Sequence, residues 1–221
     1  MRAMAPYLPP IEKPRGLIMK MVYVISRRQF GNVMTPIKVH SARLPIAFGS
    51  FYGKLPRLDK KLRLSAQTAL LIREQVASTN MCMFCMDAAR WYVMTKTPDD
   101  LARLDALPLY RTSPLFTDAQ RAALDYATEL TRDKKVEPAT FARLTRHYTE
   151  REICDIVWLV ASEHLNNVTN IGLGIGSDGF CELAQRAGTK VRLRALPATP
   201  PGVAPHRIDD AALGTAQEQQ S

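Results

Sequence analysis

Residues 78–87 of the chain read STNMCMFCMD and place Cys82 and Cys85 three positions apart. The whole chain has four cysteines. Random placement of four cysteines gives on the order of 0.07 such pairs in a chain of this length. The C-x-x-C spacing is therefore informative about function.

The pair lies where one helical pattern ends and another begins. Residues 78–80 are polar and interrupt an apolar pattern, which resumes at helical spacing over residues 88–93. Two thiols one helical turn apart can form a disulfide, and the free N–H groups at a helix N-terminus stabilise a thiolate. The residues therefore predict a reversible dithiol centre at the start of a helix.

Two other interpretations of the pair remain open. A structural zinc site normally needs four ligands, and Cys154 and Cys181 do not form a second C-x-x-C pair. Buried structural thiols that act as small apolar side chains are the second alternative. We favour redox chemistry, and we expect neither a metal nor a bound cofactor.

Length and composition indicate a globular protein with a full core. The chain has 221 residues, of which 46% are hydrophobic. No apolar run reaches the roughly 20 residues that span a bilayer. Residues 26–30, SRRQF, are similar to the core of an export signal, but no apolar stretch follows them. We therefore expect a cytoplasmic protein.

Positive charge is concentrated near the N-terminus. Residues 1–63 carry thirteen Lys and Arg against two acidic residues, whereas the rest of the chain carries seventeen against nineteen. The basic residues are interleaved with prolines and apolar residues, so we expect neither nucleic acid nor a membrane as a partner. We predict a basic arm (1–60) packed on the body, a helical domain (61–190) and a loose tail (196–221).

The hydrophobic pattern predicts an all-α protein. Capping boxes are expected at Thr117 and Thr149, where the last two long helices begin. The helix after Thr149 has the clearest amphipathic pattern of the chain. Only Met21–Ser26 is compatible with a strand, and it is too short to support a sheet.

Several segments together resemble the carboxymuconolactone decarboxylase superfamily, and its alkylhydroperoxidase D-like members in particular. They are the C-x-x-C pair after LLIREQVA (70–77), the helix start FTD (116–118), the helix start YTEREI (148–153) and GLGIGSDG (172–179). The resemblance extends from about residue 30 to residue 185. It implies an alkylhydroperoxidase D-like helical bundle that assembles into dimers, trimers or hexamers.

The peroxidase members of that family have a Glu twelve residues before the first Cys and a His four residues after the second. Cys82 and Cys85 match the pair, but Leu70 and Ala89 stand at the other two positions. We therefore consider Glu74, Glu163 and His164 as replacements. A carboxylate and an imidazole beside a thiol serve as a general base and a proton shuttle.

The resulting hypothesis is a dithiol peroxidase that reduces hydroperoxides through a Cys82–Cys85 disulfide. Its expected partners are a hydroperoxide or another small-molecule substrate, a dithiol reductant that restores the thiols, and further copies of the chain. Two alternatives stay open. One is a decarboxylase or lyase that acts on a small anionic compound, and the other is a redox-sensing scaffold protein.

Overall fold

The computed structural model describes residues 5–49 and 54–186, and in these residues every regular element is helical. The helices are α1 (Leu17–Phe30), α2 (Pro45–Ala47), α3 (Leu55–Asp59), α4 (Ala66–Thr79), α5 (Met83–Lys96), α6 (Leu101–Ala106), α7 (Asp118–Asp133), α8 (Pro138–Leu144), α9 (Glu150–Gly172) and α10 (Phe180–Arg186). A π-helical turn (Ile37–Ser41) lies between α1 and α2, and short 3-10 turns (Pro98–Asp100 and Leu107–Leu109) flank α6. The all-α prediction is confirmed for this part of the chain.

The predicted tail at 196–221 lies outside the described residues. None of the described helices combines the length and the apolar character needed to cross a bilayer.

Side-chain caps mark the starts of helices α4, α7 and α9. The Ser65 hydroxyl accepts a hydrogen bond from the Thr68 N–H at the start of α4. Thr117 and Thr149 form the two predicted capping boxes, with Gln120 and Glu152 respectively. Each box pairs N–H groups that a helix N-terminus otherwise leaves without partners. The sequence signal for these helix starts is therefore confirmed.

The main core lies where α4 packs against α7 and α9. Its buried side chains recur three and four residues apart on each helix, as one face of a helix requires. They include Ile72 and Val76 of α4, Ala123 and Ala127 of α7, and Ile156, Leu159 and Val160 of α9. This arrangement leaves the last three turns of α9 beside the junction between α4 and α5.

A second apolar cluster surrounds the C-x-x-C pair. Phe84 and Phe180 meet edge to face at 5.7 Å between ring centroids, and the Phe30 ring lies 4.6 Å from that of Trp91. Asp87 accepts hydrogen bonds from the Phe180 N–H at 2.9 Å and from the Ser177 hydroxyl at 2.7 Å. The helix that carries the two cysteines is thereby joined to the start of α10.

The junction between α4 and α5 is a sharp turn. Asn80 ends α4, and Met81 takes a left-handed conformation with φ 56°. Cys82 then has an extended backbone as the N-cap of α5, and its N–H donates to the Ala77 carbonyl at 2.9 Å. Cys85 consequently stands in the first turn of α5, as the sequence predicted.

Residues Met21–Ser26, the one segment whose sequence is compatible with a strand, are helical in the structure. The segment belongs to α1, whose buried residues Met19, Tyr23 and Ser26 lie three and four positions apart. The Tyr23 hydroxyl donates a hydrogen bond of 2.5 Å to the Ile11 carbonyl. Burial of one helical face therefore outweighs the β propensity of the Val and Ile residues here.

Candidate functional site

Cys82 and Cys85 form a disulfide in the structure, with their Cα atoms 5.3 Å apart. The two cysteines differ in their access to the surroundings. Cys82 is 1% exposed and packs in the second apolar cluster, whereas Cys85 is half-buried. Cys85 also lines a cavity of about 600 Å³. A small molecule in this cavity therefore reaches Cys85 before Cys82.

The cavity has two walls of different chemical character. Residues of α4, α5 and α9 form one wall, which contains Cys85, Glu74 and Glu163. Residues between Met34 and Phe48 form a second wall, which is mainly apolar but includes His40 and Ser41. We call these the redox wall and the apolar wall.

Glu74 is a buried carboxyl group of the redox wall. It is 7% exposed, and its Oε2 atom has no hydrogen-bond partner among the described residues. Burial and, to a smaller extent, the negative charge of Glu163 raise the pKa of Glu74 to about 8, while Arg90 opposes the rise. Glu74 therefore carries a proton at neutral pH and can donate it.

Glu163, the second acid of this wall, has charged and polar partners. Burial raises its pKa, but Arg73 and Asn167 favour its ionised form. Arg73 Nη1 lies 3.4 Å from Glu163 Oε2, and Arg73 Nη2 lies 2.9 Å from the carboxylate of Asp59. Of the two buried acids, Glu163 is therefore the one with partners that favour its ionised form, and Glu74 is the one whose pKa is raised to about 8.

Two asparagines of α9 point their amide groups at the sulfur atoms. Asn167 Nδ2 lies 3.1 Å from Cys85 Sγ and donates to Glu163 Oε1 at 2.7 Å. Asn170 Nδ2 lies 3.4 Å from Cys85 Sγ and 3.9 Å from Cys82 Sγ. Both asparagines are almost completely buried. The sulfur of Cys85 thus faces two hydrogen-bond donors.

His164 lies one side chain away from this group. Its Nδ1 atom is 3.3 Å from Asn80 Nδ2, and the same Asn80 amide donates to Asn167 Oδ1 at 2.9 Å. Burial lowers the pKa of His164, and Lys134 lowers it further. The structure therefore brings Cys82, Cys85, Glu74 and Glu163 together and connects His164 to them through Asn80.

The two positions at which the family pattern has Glu and His face the same cavity. Leu70 and Ala89 both line it, so apolar side chains occupy these positions. Glu74 follows Leu70 by one helical turn and reaches the cavity from the same helix. Among the residues that the structure describes, no group of three or more His, Cys, Asp or Glu side chains could hold a metal ion.

Asn167 and Asn170 are not among the site residues that the sequence predicted. A signal for them was present, because Glu163, Asn167 and Asn170 follow one another at intervals of four and three residues on a helix that is otherwise apolar on that face. Polar side chains on a buried helix face need hydrogen-bond partners, and for the two asparagines these partners include the cysteines and Asn80.

Comparison with known proteins gives relatives in sequence and in structure. No model of a protein family matches the chain. The uncharacterized protein YnjA of Escherichia coli K12 is 29% identical over 183 residues, which are 81% of this chain and 98% of YnjA.

Two solved structures have the same fold. One is a cysteine-to-alanine variant of the debrominase Bmp8 in complex with 2,3,4-tribromopyrrole, with a TM-score of 0.69 and 17% identity over 84% of this chain and 98% of that one. The other, from Ralstonia eutropha JMP134, is described as an alkylhydroperoxidase AhpD core and an uncharacterized peroxidase-related protein. Its TM-score is 0.62, with 21% identity over 78% of this chain and 95% of that one.

These structural neighbours share the helical fold of the chain. The chain has the alkylhydroperoxidase D-like helical fold, with a C-x-x-C pair at Cys82 and Cys85.

Proposed function

We propose that the chain is a dithiol peroxidase in which Cys85 attacks a hydroperoxide and Cys82 then closes the disulfide. One observation carries the proposal: Cys85 opens onto the cavity while Cys82 lies buried directly behind it. The peroxidatic thiol must meet the substrate, whereas the resolving thiol must meet only the first sulfur. The structure describes the oxidised state that this reaction produces.

The reaction has two steps that balance. The Cys85 thiolate attacks the terminal oxygen of the hydroperoxide and breaks the O–O bond, which leaves a sulfenic acid on Cys85 and an alkoxide that takes up a proton. The Cys82 thiol then displaces the sulfenic hydroxyl as water and forms the disulfide. A dithiol reductant restores both thiols by exchange.

Glu74 is suited to supply the proton for the first step. An alkoxide is a poor leaving group, so a proton donor in the cavity lowers the barrier to O–O cleavage. Glu74 lines the cavity, is protonated at neutral pH and has a carboxyl oxygen with no described partner.

The charges of the cavity favour a neutral substrate. They do not favour the small anionic compound on which the alternative, a decarboxylase or lyase, would act. Arg73 is the lone Lys or Arg among the described lining residues, and Asp59 and Glu163 already pair with it. A ligand carboxylate would have to compete with both of these acids. The redox-sensing scaffold remains the alternative if no substrate is turned over.

A second candidate function is the reductive removal of bromide from a halogenated aromatic ring. The cavity of about 600 Å³ is far larger than hydrogen peroxide needs, and its apolar wall suits a flat apolar ring. The debrominase Bmp8 has the same fold. In this reaction Cys85 takes the bromine, the ring carbon takes a proton, and Cys82 displaces bromide as it forms the disulfide.

We also propose that the chain forms a homo-oligomer and that the predicted N-terminal arm contributes to it. Helix α1 exposes a run of large apolar side chains on the face opposite Met19 and Tyr23: Leu17, Ile18, Met21, Val24 and Ile25. A contiguous apolar patch of this kind on a globular protein is typical of a contact surface.

The thiol roles predict different effects of the two cysteine substitutions. Cys85→Ser should abolish reduction of cumene hydroperoxide, because it removes the attacking sulfur. Cys82→Ser should stop turnover but still give one sulfenic acid at Cys85, which a dimedone adduct located by mass spectrometry would show. Cys154→Ser, at an exposed free thiol, is the control and should leave the rate unchanged. A sulfenic acid at Cys82 would contradict the assignment.

The proton-donor role predicts a pH dependence. Because Glu74 is active when protonated, the rate of sulfenic acid formation should fall as pH rises through about 8. Glu74→Gln should lower the rate near pH 7 by about 10²-fold and remove that decline. Stopped-flow single-turnover kinetics from pH 5 to 10 would measure both effects.

Glu163→Gln serves as the matched control, since it alters the other buried acid of the same wall. It removes a negative neighbour that raises the pKa of Glu74, so the decline should move to lower pH and should not disappear. A decline that persists unchanged in Glu74→Gln would refute the role of Glu74.

The second candidate predicts bromide release. Reduced protein mixed with 2,3,4-tribromopyrrole should release one bromide per disulfide formed, and Cys85→Ser should release none. Ion chromatography and thiol titration measure the two products. Turnover of cumene hydroperoxide without any bromide release would exclude debromination and leave the peroxidase proposal in place.

The oligomer proposal predicts that a charge on the apolar face of α1 weakens association. Ile25→Lys should shift the molar mass from light scattering towards that of one chain, because a lysine there must be desolvated on assembly. Ala139→Lys adds the same charge at an exposed site on α8 and should leave the mass unchanged. A wild-type mass of 24.7 kDa would show that the chain is monomeric.

A further inference from the structure

Cys85 lacks the Glu and His of the family pattern, so its thiolate needs another source of stabilisation. The N-terminus of α5 supplies part of it, because Cys85 lies in the first turn of that helix. A negative charge on the nearby Glu163 acts in the opposite direction, since a negative charge beside a thiol raises its pKa. Other hydrogen-bond donors are therefore required at the sulfur.

The hydrogen-bond network fixes which way the Asn167 amide points. The Asn167 Nδ2 atom donates to Glu163 Oε1 at 2.7 Å, since an amide nitrogen donates and a carboxyl oxygen accepts. The other side of the amide, Oδ1, accepts from Asn80 at 2.9 Å. The second hydrogen of Asn167 Nδ2 is then available to Cys85 Sγ at 3.1 Å.

Asn170 supplies a second donor from the next turn of α9. Its Nδ2 atom lies 3.4 Å from Cys85 Sγ and 3.9 Å from Cys82 Sγ, and its side chain is 4% exposed. A buried amide keeps its hydrogen bonds free of competition from water, which makes each bond to a charged acceptor stronger. The two amides converge on one sulfur from the same helix face.

We propose that Asn167 and Asn170 are catalytic residues that bind the Cys85 thiolate and thereby replace the relay residues absent at positions 70 and 89. Hydrogen bonds to an ionised sulfur are stronger than hydrogen bonds to a thiol or a disulfide, so the two amides favour the form that attacks the substrate. Glu163 acts as a positioning residue, because it holds the Asn167 amide in the donating orientation.

The proposal rests on Cys85 being the attacking thiol, but its test needs no substrate. The ionisation of Cys85 can be followed in the reduced full-length protein as the rate of iodoacetamide alkylation against pH, resolved from the other cysteines by fragmentation mass spectrometry. Apart from the two cysteines, the titratable and charged groups that line the cavity are His40, Asp59, Arg73, Glu74, Tyr92 and Glu163. Each is left unchanged in the variants below.

Asn170→Leu keeps the approximate size of the side chain and removes both donors. We expect the pKa of Cys85 to rise by about one unit, which lowers its alkylation rate at pH 7 about tenfold. Asn170→Ser, which is too short to reach the sulfur, should have the same effect and provides a second variant if the first does not fold. Asn167→Leu should raise the pKa at least as much.

Thr169→Val is the matched control, because Thr169 neighbours Asn170 on α9, lines the cavity and donates its hydroxyl hydrogen to the Leu165 carbonyl at 2.8 Å. It should leave the pKa of Cys85 within about 0.3 units of the wild type. Folded asparagine variants whose Cys85 titrates like the wild type would overturn the proposal. A raised pKa without any peroxidase activity in the wild type would instead refute the proposed function and leave the thiolate assignment standing.

Discussion

The side-chain amide of Asn167 joins three helices at one point, and the site is built around it. It accepts from Asn80 at the end of α4, faces Cys85 at the start of α5 and donates to Glu163 on its own helix α9. Asn167 is fully buried and cannot bond to water, so its amide depends on Asn80, Cys85 and Glu163 for hydrogen-bond partners. The sharp turn at Met81 lies between α4 and α5 and brings the two cysteines to this position.

The two buried acids of the site, Glu74 and Glu163, are subject to the same need for partners. A carboxyl group removed from water either finds positive or hydrogen-bonding partners or keeps its proton. Glu163 has Arg73 and Asn167, whereas Glu74 lies beside it with one oxygen that lacks a described partner. One α4–α9 interface therefore holds one acid with charged and hydrogen-bonding partners and one acid whose pKa is raised to about 8.

Local signals in the sequence were sufficient for most of the fold. The capping boxes at Thr117 and Thr149 and the helix start at the C-x-x-C pair depend on residues within a few positions of one another, and all three are present. The segment Met21–Ser26 is compatible with a strand by its sequence, but its helical conformation depends on burial against other parts of the chain, which a local pattern does not contain. Pairing of Cys82 with Cys85 was likewise a local prediction.

The polar part of the site could be predicted only in part. Glu74, Glu163 and the cysteines were found by their spacing and chemistry, but the role of Asn167 depends on Asn80, which is 87 positions away in sequence. Asn170 reaches Cys85 across 85 positions. Contacts of this range come from the packing of α9 against the α4–α5 junction, and one sequence gives no direct measure of that packing.

The two walls of the cavity are encoded by different parts of the chain. The redox wall comes from α4, α5 and α9, while the apolar wall comes from residues between Met34 and Phe48. Substitutions in the apolar wall can change the size and shape of what fits while the cysteines and their amide donors stay as they are. Such a division separates the residues that decide which molecules fit from the residues that surround the disulfide, so the two sets can change independently.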